Sequence, residues 1–201
     1  CNSILVLGPV IWTIMASFKK GNNLFSSTFS GIEFTFDHYI TLFTDTPYMQ
    51  WYLNTFILAT ANMLISLIVV TMTAYVFSRY RFRGKRNTLM SILVLQMFPA
   101  FLSMTAIYIL LSKANLIDTY TGLLLVYVTG SLPFMTWLVK GYFDAIPTSL
   151  DEAAKIDGAG HLTIFIQIIL PLAKPILVFV GLVSFTGPWM DFILPTLVLR
   201  S

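Results

Sequence analysis

Residues 149–175 read SLDEAAKIDGAGHLTIFIQIILPLAKP, and their pattern differs from that of the rest of the chain. Acidic residues, small residues and glycines fill the first half, whereas an apolar stripe and two prolines fill the second half. The first half is too polar for a membrane span, and the second half is too periodic for an ordinary solvated loop. The stretch decides how the chain is organised, because the residues before it have the pattern of membrane helices that deliver it to one side of a membrane.

Composition places the chain in a lipid bilayer. Of the 201 residues, 57% are hydrophobic and only 10% are charged, whereas a soluble domain carries about 25% charged residues. A chain of this composition cannot cover itself with polar surface, so part of its solvent must be lipid. Cys1 is the only cysteine, and His38 and His161 stand alone, so we expect no disulfide framework, metal site or cofactor. The nucleotide-binding pattern GxxxxGK[ST] is absent, so we do not expect the chain itself to hydrolyse ATP.

Uncharged runs predict an all-α, polytopic bundle with about five membrane helices, since a span needs about 20 apolar residues. Pro99 is expected to bend the third helix, and Pro133 lies in the fourth. The first run is short, so we interpret it as the end of a helix and expect the chain to be incomplete at both ends. The predicted spans cover residues 4–18, 51–77, 87–112, 121–139 and 168–189.

The positions of the cations predict the orientation of these helices. Residues 79–86 read RYRFRGKR, with five cations and no acid, and dense Lys/Arg in short loops faces the cytoplasm. Alternation then places loop 21–47 outside and segment 140–167 in the cytoplasm. Lys19 and Lys20 fall on the outer side against this rule, but acidic residues share their loop. Topology accounts for the basic cluster, so no nucleic-acid partner is expected.

Two short helices are expected within the cytoplasmic segment. Ser149 and Glu152 have the spacing of a capping box, and Gly158 is a typical helix terminator. A second helix has one apolar face, and Pro171 and Pro175 mark a bend into the last span. That face is formed by Leu162, Phe165, Ile166 and Ile169. Small side chains around the glycine would let another backbone approach, which indicates docking and not catalysis.

These residues carry a resemblance to a known family. The pattern E-A-A, three residues, G, nine residues, I-x-L-P resembles the signature of membrane subunits of binding-protein-dependent ABC importers. It stands here as Glu152-Ala153-Ala154, Gly158, Ile168 and Leu170-Pro171. Flanking segments such as NTFILATANM, AYVFSRYRFRGK and FTGPWMDFILPTLVLRS are similar to the carbohydrate-uptake branch, the shorter maltose/maltodextrin-type permease. Met190 departs from this pattern, since family members have Asn there, and a sixth helix of the family has no counterpart.

The resemblance implies a type I ABC importer permease in the cell membrane. Residues 1–201 would form a single transmembrane permease domain, and residues 140–167 would form its cytoplasmic coupling loop. The implied partners are a second permease subunit, two cytoplasmic ATPase subunits, an extracytoplasmic sugar-binding protein and membrane lipid. A sugar, such as a maltodextrin-like oligosaccharide, would enter by alternating access. The residues implied to couple transport to the ATPase are Glu152, Ala153, Ala154, Asp157 and Gly158.

Other functions remain open at this stage. The chain could import another solute, such as amino acids, or serve as a structural membrane subunit. An ion-coupled secondary transporter would usually show ionisable residues within its spans, and the second to fourth spans have none. Polar residues within spans are expected to join helices, and some could line a sugar path with Tyr108, Tyr127 or Trp137. Asp191 is expected to be solvated at the outer end of the last span. The polar span residues are Asn54, Thr60, Asn62, Thr71 and Gln96.

Overall fold

The structure is a computed structural model that describes residues 2–20 and 34–199. The described chain is all-α apart from one isolated antiparallel bridge between Lys19 and Phe34. Residues 21–33 of the predicted outer loop, which spans residues 21–47, lie outside the described part. The helices are α1 Asn2–Ser17, α2 Asp37–Thr44, α3 Tyr48–Arg79, α4 Lys85–Gln96, α5 Ala100–Lys113, α6 Tyr120–Asp144, α7 Thr148–Ile156, α8 His161–Ile164, α9 Leu170–Leu172, α10 Lys174–Met190 and α11 Ile193–Val198, with a π-helix at Phe165–Ile169 between α8 and α9.

Contacts divide the chain into two units, Cys1–Asn54 and Thr55–Ser201. In the first unit, α2 is held near the end of α1. The hydroxyls of Ser17 and Tyr39 lie 2.7 Å apart, and the Phe18 and Phe36 rings meet edge to face at 5.4 Å. Segment 140–167 lies entirely in the second unit.

Two described helices are long and apolar enough to cross a membrane, Tyr48–Arg79 and Tyr120–Asp144. They confirm the predicted second and fourth spans. A third span results if His161–Leu172 and Lys174–Met190, which meet at 82°, are counted as one broken helix. The third predicted span is two shorter helices, because Pro99 sits at the N-cap of α5 with an extended ψ of 122°. A proline has no N–H to donate to the preceding turn, so the helix stops at Gln96 and restarts.

The last predicted span begins later than expected, at Lys174. Pro171 and Pro175 flank Ala173, whose φ of −91° and ψ of 5° end one helix before the next begins. The predicted bend at these two prolines is confirmed by the 82° angle. The bend turns the segment before it away from the axis of α10.

The second unit has two buried apolar clusters. One joins α3, α6 and the region around the π-helix, with Val70, Val139 and Ile169 all fully buried. The other includes Leu123 and Val198. Large apolar side chains elsewhere on these helices point outward, which suits contact with lipid chains.

One of the predicted polar contacts joins two helices. Asn62 of α3 donates from Nδ2 to the carbonyl of Ser184 on α10 at 2.6 Å. Gly181 of α10 faces α3 close to this bond, and a Cβ there would make an ordinary contact with Leu67 at 3.6 Å. Thr71 behaves differently, since its hydroxyl donates to the carbonyl of Leu67 in its own helix at 2.6 Å.

We therefore expect Asn62→Leu to weaken the contact between α3 and α10. The loss should be about 0.6–2 kcal/mol, the range for hydrogen bonds between membrane helices. Thr71→Val is the matched control, because it removes a buried hydroxyl that bonds only within its helix. Thermal unfolding of both variants in detergent is the measurement, and equal stability of the two would contradict the assignment.

Candidate functional site

Helix α7 begins one residue before the predicted capping box. Pro147 occupies the N-cap, and its carbonyl accepts the N–H of Leu150 at 3.3 Å, so the helix starts at Thr148. Ser149 is then already inside the helix and cannot cap it, and no side chain caps this end. The predicted capping box between Ser149 and Glu152 is wrong. Glu152 is exposed, and its carboxylate does not cap the start of its own helix.

The other end of α7 confirms that Gly158 terminates the helix, as predicted. The N–H of Gly158 donates to the carbonyl of Lys155 at 3.0 Å, and the N–H of Ala159 donates to the carbonyl of Ala154 at 2.9 Å. This pair of bonds is a Schellman motif, which needs a residue in the left-handed region. Gly158 has φ of +85°, whereas a Cβ at this position would meet nothing within 4 Å. The glycine is required by backbone conformation and not by crowding within the chain.

The Schellman motif also explains the spacing between Ala154 and Gly158. Ala154 lies three residues inside the helix end and Ala159 lies just beyond Gly158, and the 2.9 Å bond of the motif joins these two alanines. Both alanines pack against the buried cluster that contains Ile169. An apolar contact between these two positions commonly accompanies the motif.

A buried ion pair anchors the same inward face of α7, one turn before Ala154. Asp151 is only 6% exposed, and its Oδ2 lies 2.6 Å from Nε of Arg79, the last residue of α3. The second carboxylate oxygen of Asp151 is buried and meets no donor among the described residues. Arg79 is therefore the group that compensates the charge of Asp151.

Arg79 also binds the end of α6. Its Nη1 donates to the carbonyl of Phe143 at 3.0 Å, and its Nη2 donates to the carbonyl of Ile146 at 3.1 Å. Carbonyls at a helix end have no partner within the helix, and a cation there also matches the helix dipole. One guanidinium thus connects α3, α6 and α7. Sequence analysis missed this role. It used Arg79 only to predict the orientation of the helices, and the residues around Arg79 do not indicate that Asp151 is its partner.

A second polar connection lies beside the first. The hydroxyl of Ser78 donates to Oδ1 of Asp144 at 2.7 Å, and Nζ of Lys140 lies 2.5 Å from Oδ2 of the same residue. Lys140 and Asp144 are one turn apart on α6, a spacing that supports helix. Helix α6 accordingly continues to Asp144, so residues 140–144 of the predicted loop are helical.

The predicted apolar face of the second short helix is wrong in part. Phe165 and Ile169 are buried, but Leu162 is 68% exposed and Ile166 is 51% exposed. The inward position belongs instead to Ile164, which is fully buried.

A π-helix explains this change of face. The N–H of Leu170 donates to the carbonyl of Phe165, five residues earlier, instead of four. The wider turn shifts the register relative to the 3.6-residue period that the prediction assumed. Tyr75 of α3 fixes the segment, since its hydroxyl donates to the carbonyl of His161 at 3.3 Å and its ring lies 4.8 Å from that of Phe165.

The predicted coupling residues lie together on one short segment. Four of them are exposed and one, Ala154, is half-buried against the core. Ile156 is 86% exposed beside them, although sequence analysis did not single it out. The segment thus presents acidic, small and apolar groups outward while Asp151 holds it from inside. The four exposed residues are Glu152, Ala153, Asp157 and Gly158.

Asp191 has local partners instead of the solvated position that was expected. Its Oδ2 accepts the hydroxyl of Tyr127 at 3.1 Å, and its Oδ1 accepts the N–H groups of Ile193 and Leu194 at 3.0 and 3.3 Å. The carboxylate therefore caps α11 and ties it to α6. Met190, next to it, is 87% exposed.

We expect Asp151→Asn to leave Arg79 buried without a counter-charge. Removing one partner of a buried pair costs about 3–5 kcal/mol, and the two carbonyl bonds of Arg79 favour the lower end. Asp157→Asn, in the exposed C-cap of the same helix, should change stability by about 0.5 kcal/mol or less. Hydrogen exchange of α7 and thermal unfolding measure both, and an equal response to the two substitutions would refute the anchoring role.

Comparison with known proteins agrees with this architecture. A maltodextrin transport system permease protein of Bacillus subtilis (strain 168) is 42% identical over 200 residues, which cover 99% of this chain and 72% of that protein. A galactooligosaccharides transport system permease protein of the same organism is 44% identical over 202 residues, 99% of this chain and 71% of the relative.

A solved structure of a bacterial ABC transporter involved in the import of the acidic polysaccharide alginate has the same fold. The match has a TM-score of 0.88 and 26% identity, and covers all of this chain and 71% of that one. Residues 68–201 match the family described as the binding-protein-dependent transport system inner membrane component. The chain belongs to this family and is a membrane permease subunit of an ABC importer.

Proposed function

We propose that this chain is the sugar-translocating membrane subunit of an ATP-driven importer, and that residues 1–201 act as one permease domain. Oligosaccharide is the favoured substrate class, because the similar permeases of Bacillus subtilis serve maltodextrin and galactooligosaccharide systems. An amino-acid permease is the less favoured alternative. ATP hydrolysis is assigned to partner subunits, and a second permease and a sugar-binding protein complete the proposed assembly.

Residues 140–167 are proposed to be the loop that docks on the ATPase, with Glu152, Ala153, Ala154, Asp157 and Gly158 as its contact residues. The observation that carries this proposal is the difference between the exposed and the buried face of α7. Its outward face combines small and acidic side chains with the exposed Ile156, whereas its inward face is held by a buried ion pair. Glu152 has no capping role, so its carboxylate is available to a basic group of the partner.

The anchoring of α7 supports a mechanical role. Arg79 joins α7 to the last residue of one membrane helix and to the end of another. A displacement of α7 by the ATPase must either break this buried pair or carry α3 and α6 along. Because breaking such a pair is costly, the helices are expected to move with α7, which is what alternating access requires.

The substrate proposal is tested by uptake in cells that produce the complete transporter. Labelled maltodextrin should accumulate only when this chain is present and ATP is available, because transport is driven by the ATPase. Collapse of the ion gradient with ATP maintained should leave uptake intact. Inhibition by amino acids but not by oligosaccharides would support the alternative substrate, and ATP-independent uptake would refute the importer mechanism.

The coupling proposal is tested at Gly158. Alanine in the left-handed region costs about 1–2 kcal/mol, so Gly158→Ala should disturb the end of α7 and reduce ATP-driven uptake several-fold. Gly158→Asn should be milder, because Asn tolerates this conformation. Gly160→Ala is the matched control, since Gly160 has φ of −75° and open space around its Cα.

All three variants should insert normally in the membrane and bind substrate normally. ATP hydrolysis per transported sugar is the readout that separates coupling from substrate recognition. Wild-type coupling in Gly158→Ala, or an equal loss in Gly160→Ala, would contradict the proposed role while leaving the substrate class untouched.

A further inference from the structure

An open groove of about 500 Å³ lies outside the coupling segment, where α4 begins. Arg81, Lys85 and Arg86 contribute to its lining, and no acidic residue does. The cations follow directly after α3, a helix that qualifies as a membrane span. The groove is therefore a positively charged depression at the end of a span.

The cations that line the groove differ in their hydrogen bonds and in their exposure. Nζ of Lys85 donates to the carbonyls of Ser78 and Tyr80 at 3.4 and 3.1 Å, which positions the start of α4. Arg81 and Arg86 are exposed. Their guanidinium groups are accessible to an anion, and a planar guanidinium suits the oxygens of a phosphate group.

The groove continues into an apolar strip along α4. Arg86, Met90 and Val94 follow one another at intervals of one helical turn, so they share a face. Met90 is 49% exposed and Val94 is 65% exposed. A single helix face thus presents a cation first and apolar side chains next.

Trp137 of α6 forms another wall of the groove. Its Nε1 donates to the carbonyl of Leu89 on α4 at 3.2 Å, which fixes the two helices relative to each other. Tryptophan is enriched where membrane meets water, because its ring is amphipathic. The wall is therefore consistent with a groove at the level of the lipid headgroups.

We propose that this groove binds an anionic glycerophospholipid, with its phosphate at Arg81 and Arg86 and an acyl chain along Met90 and Val94. Cationic depressions between membrane helices attract anionic headgroups, each nearby cation adding to the affinity. The apolar strip selects a lipid over a soluble phosphate, which would gain nothing from Met90 and Val94. The start of α4, which has glycine at its N-cap and no acid in its first turn, adds a favourable dipole.

The test uses the assembled, detergent-purified transporter titrated with phosphatidylglycerol or phosphatidylcholine, with bound lipid counted by native mass spectrometry. Wild type should prefer phosphatidylglycerol. Arg86→Gln should weaken its binding by about fivefold, the factor for one cation near a membrane surface. Arg83→Gln is the matched control, because Arg83 is an exposed cation of the same cluster that does not line the groove.

A second pair of variants tests the groove without removing a cation. Asn87 lines it and Thr88 does not, although both are exposed in the first turn of α4. Asn87→Glu should repel the phosphate and reduce binding of phosphatidylglycerol, whereas Thr88→Glu should have a smaller effect.

Three results would overturn the proposal. The first is equal binding of the two lipids by wild type. The second is equal loss in Arg86→Gln and Arg83→Gln, which would leave the cations a purely topological role. The third is full displacement of phosphatidylglycerol by millimolar inorganic phosphate, which would show a site for a soluble anion.

Discussion

The charge of Arg79 is the constraint on which the arrangement of α3, α6 and α7 depends. The side chain of Arg79 is only 8% exposed, so its guanidinium needs acceptors within the protein, and the chain supplies the carboxylate of Asp151 and two carbonyls near the end of α6. This one cation joins the end of α3 to α6 and α7, which follow each other in the chain but lie far from α3 in sequence. The pair is not a large source of stability, because desolvation offsets much of its attraction. Its value is positional, since moving α7 away from Arg79 would separate two buried charges that are paired here.

Backbone geometry, like the ion pair, determines how α7 and the segment after it are oriented. Gly158 closes α7 with a left-handed residue, the π-helix shifts the inward face of the segment that follows, and the chain turns through 82° at the break between Pro171 and Pro175. Together these features determine which side chains of α7 and of the segment after it face outward. As a result Glu152 and Ile156 point outward, while Ile164 and Ile169 pack inward. The exposed face therefore lies on a helix that is anchored from its inward side, which suits docking of a partner.

The basic cluster at residues 79–86 serves more than one purpose. Its dense positive charge predicts orientation in the membrane, and that role involves all of its cations alike. The structure separates them: Arg79 is buried in the protein, Lys85 bonds to backbone carbonyls, and Arg81 and Arg86 line an open groove. Cations that are close together in sequence thus lie in different environments, because α3 ends and α4 begins within this cluster.

The sequence alone determined those features that depend on local chemistry. Long apolar runs made spans of α3 and α6, Gly158 ended a helix, and Pro171 and Pro175 marked a bend, since each acts through its own backbone or composition. Tertiary structure decided the rest. The partner of Asp151 depends on which helix ends meet, and no local pattern records that. The inward face around Phe165 depends on a π-turn, because periodicity arguments assume 3.6 residues per turn. The predicted capping box is wrong because the N-cap of α7 is Pro147, two residues before Ser149.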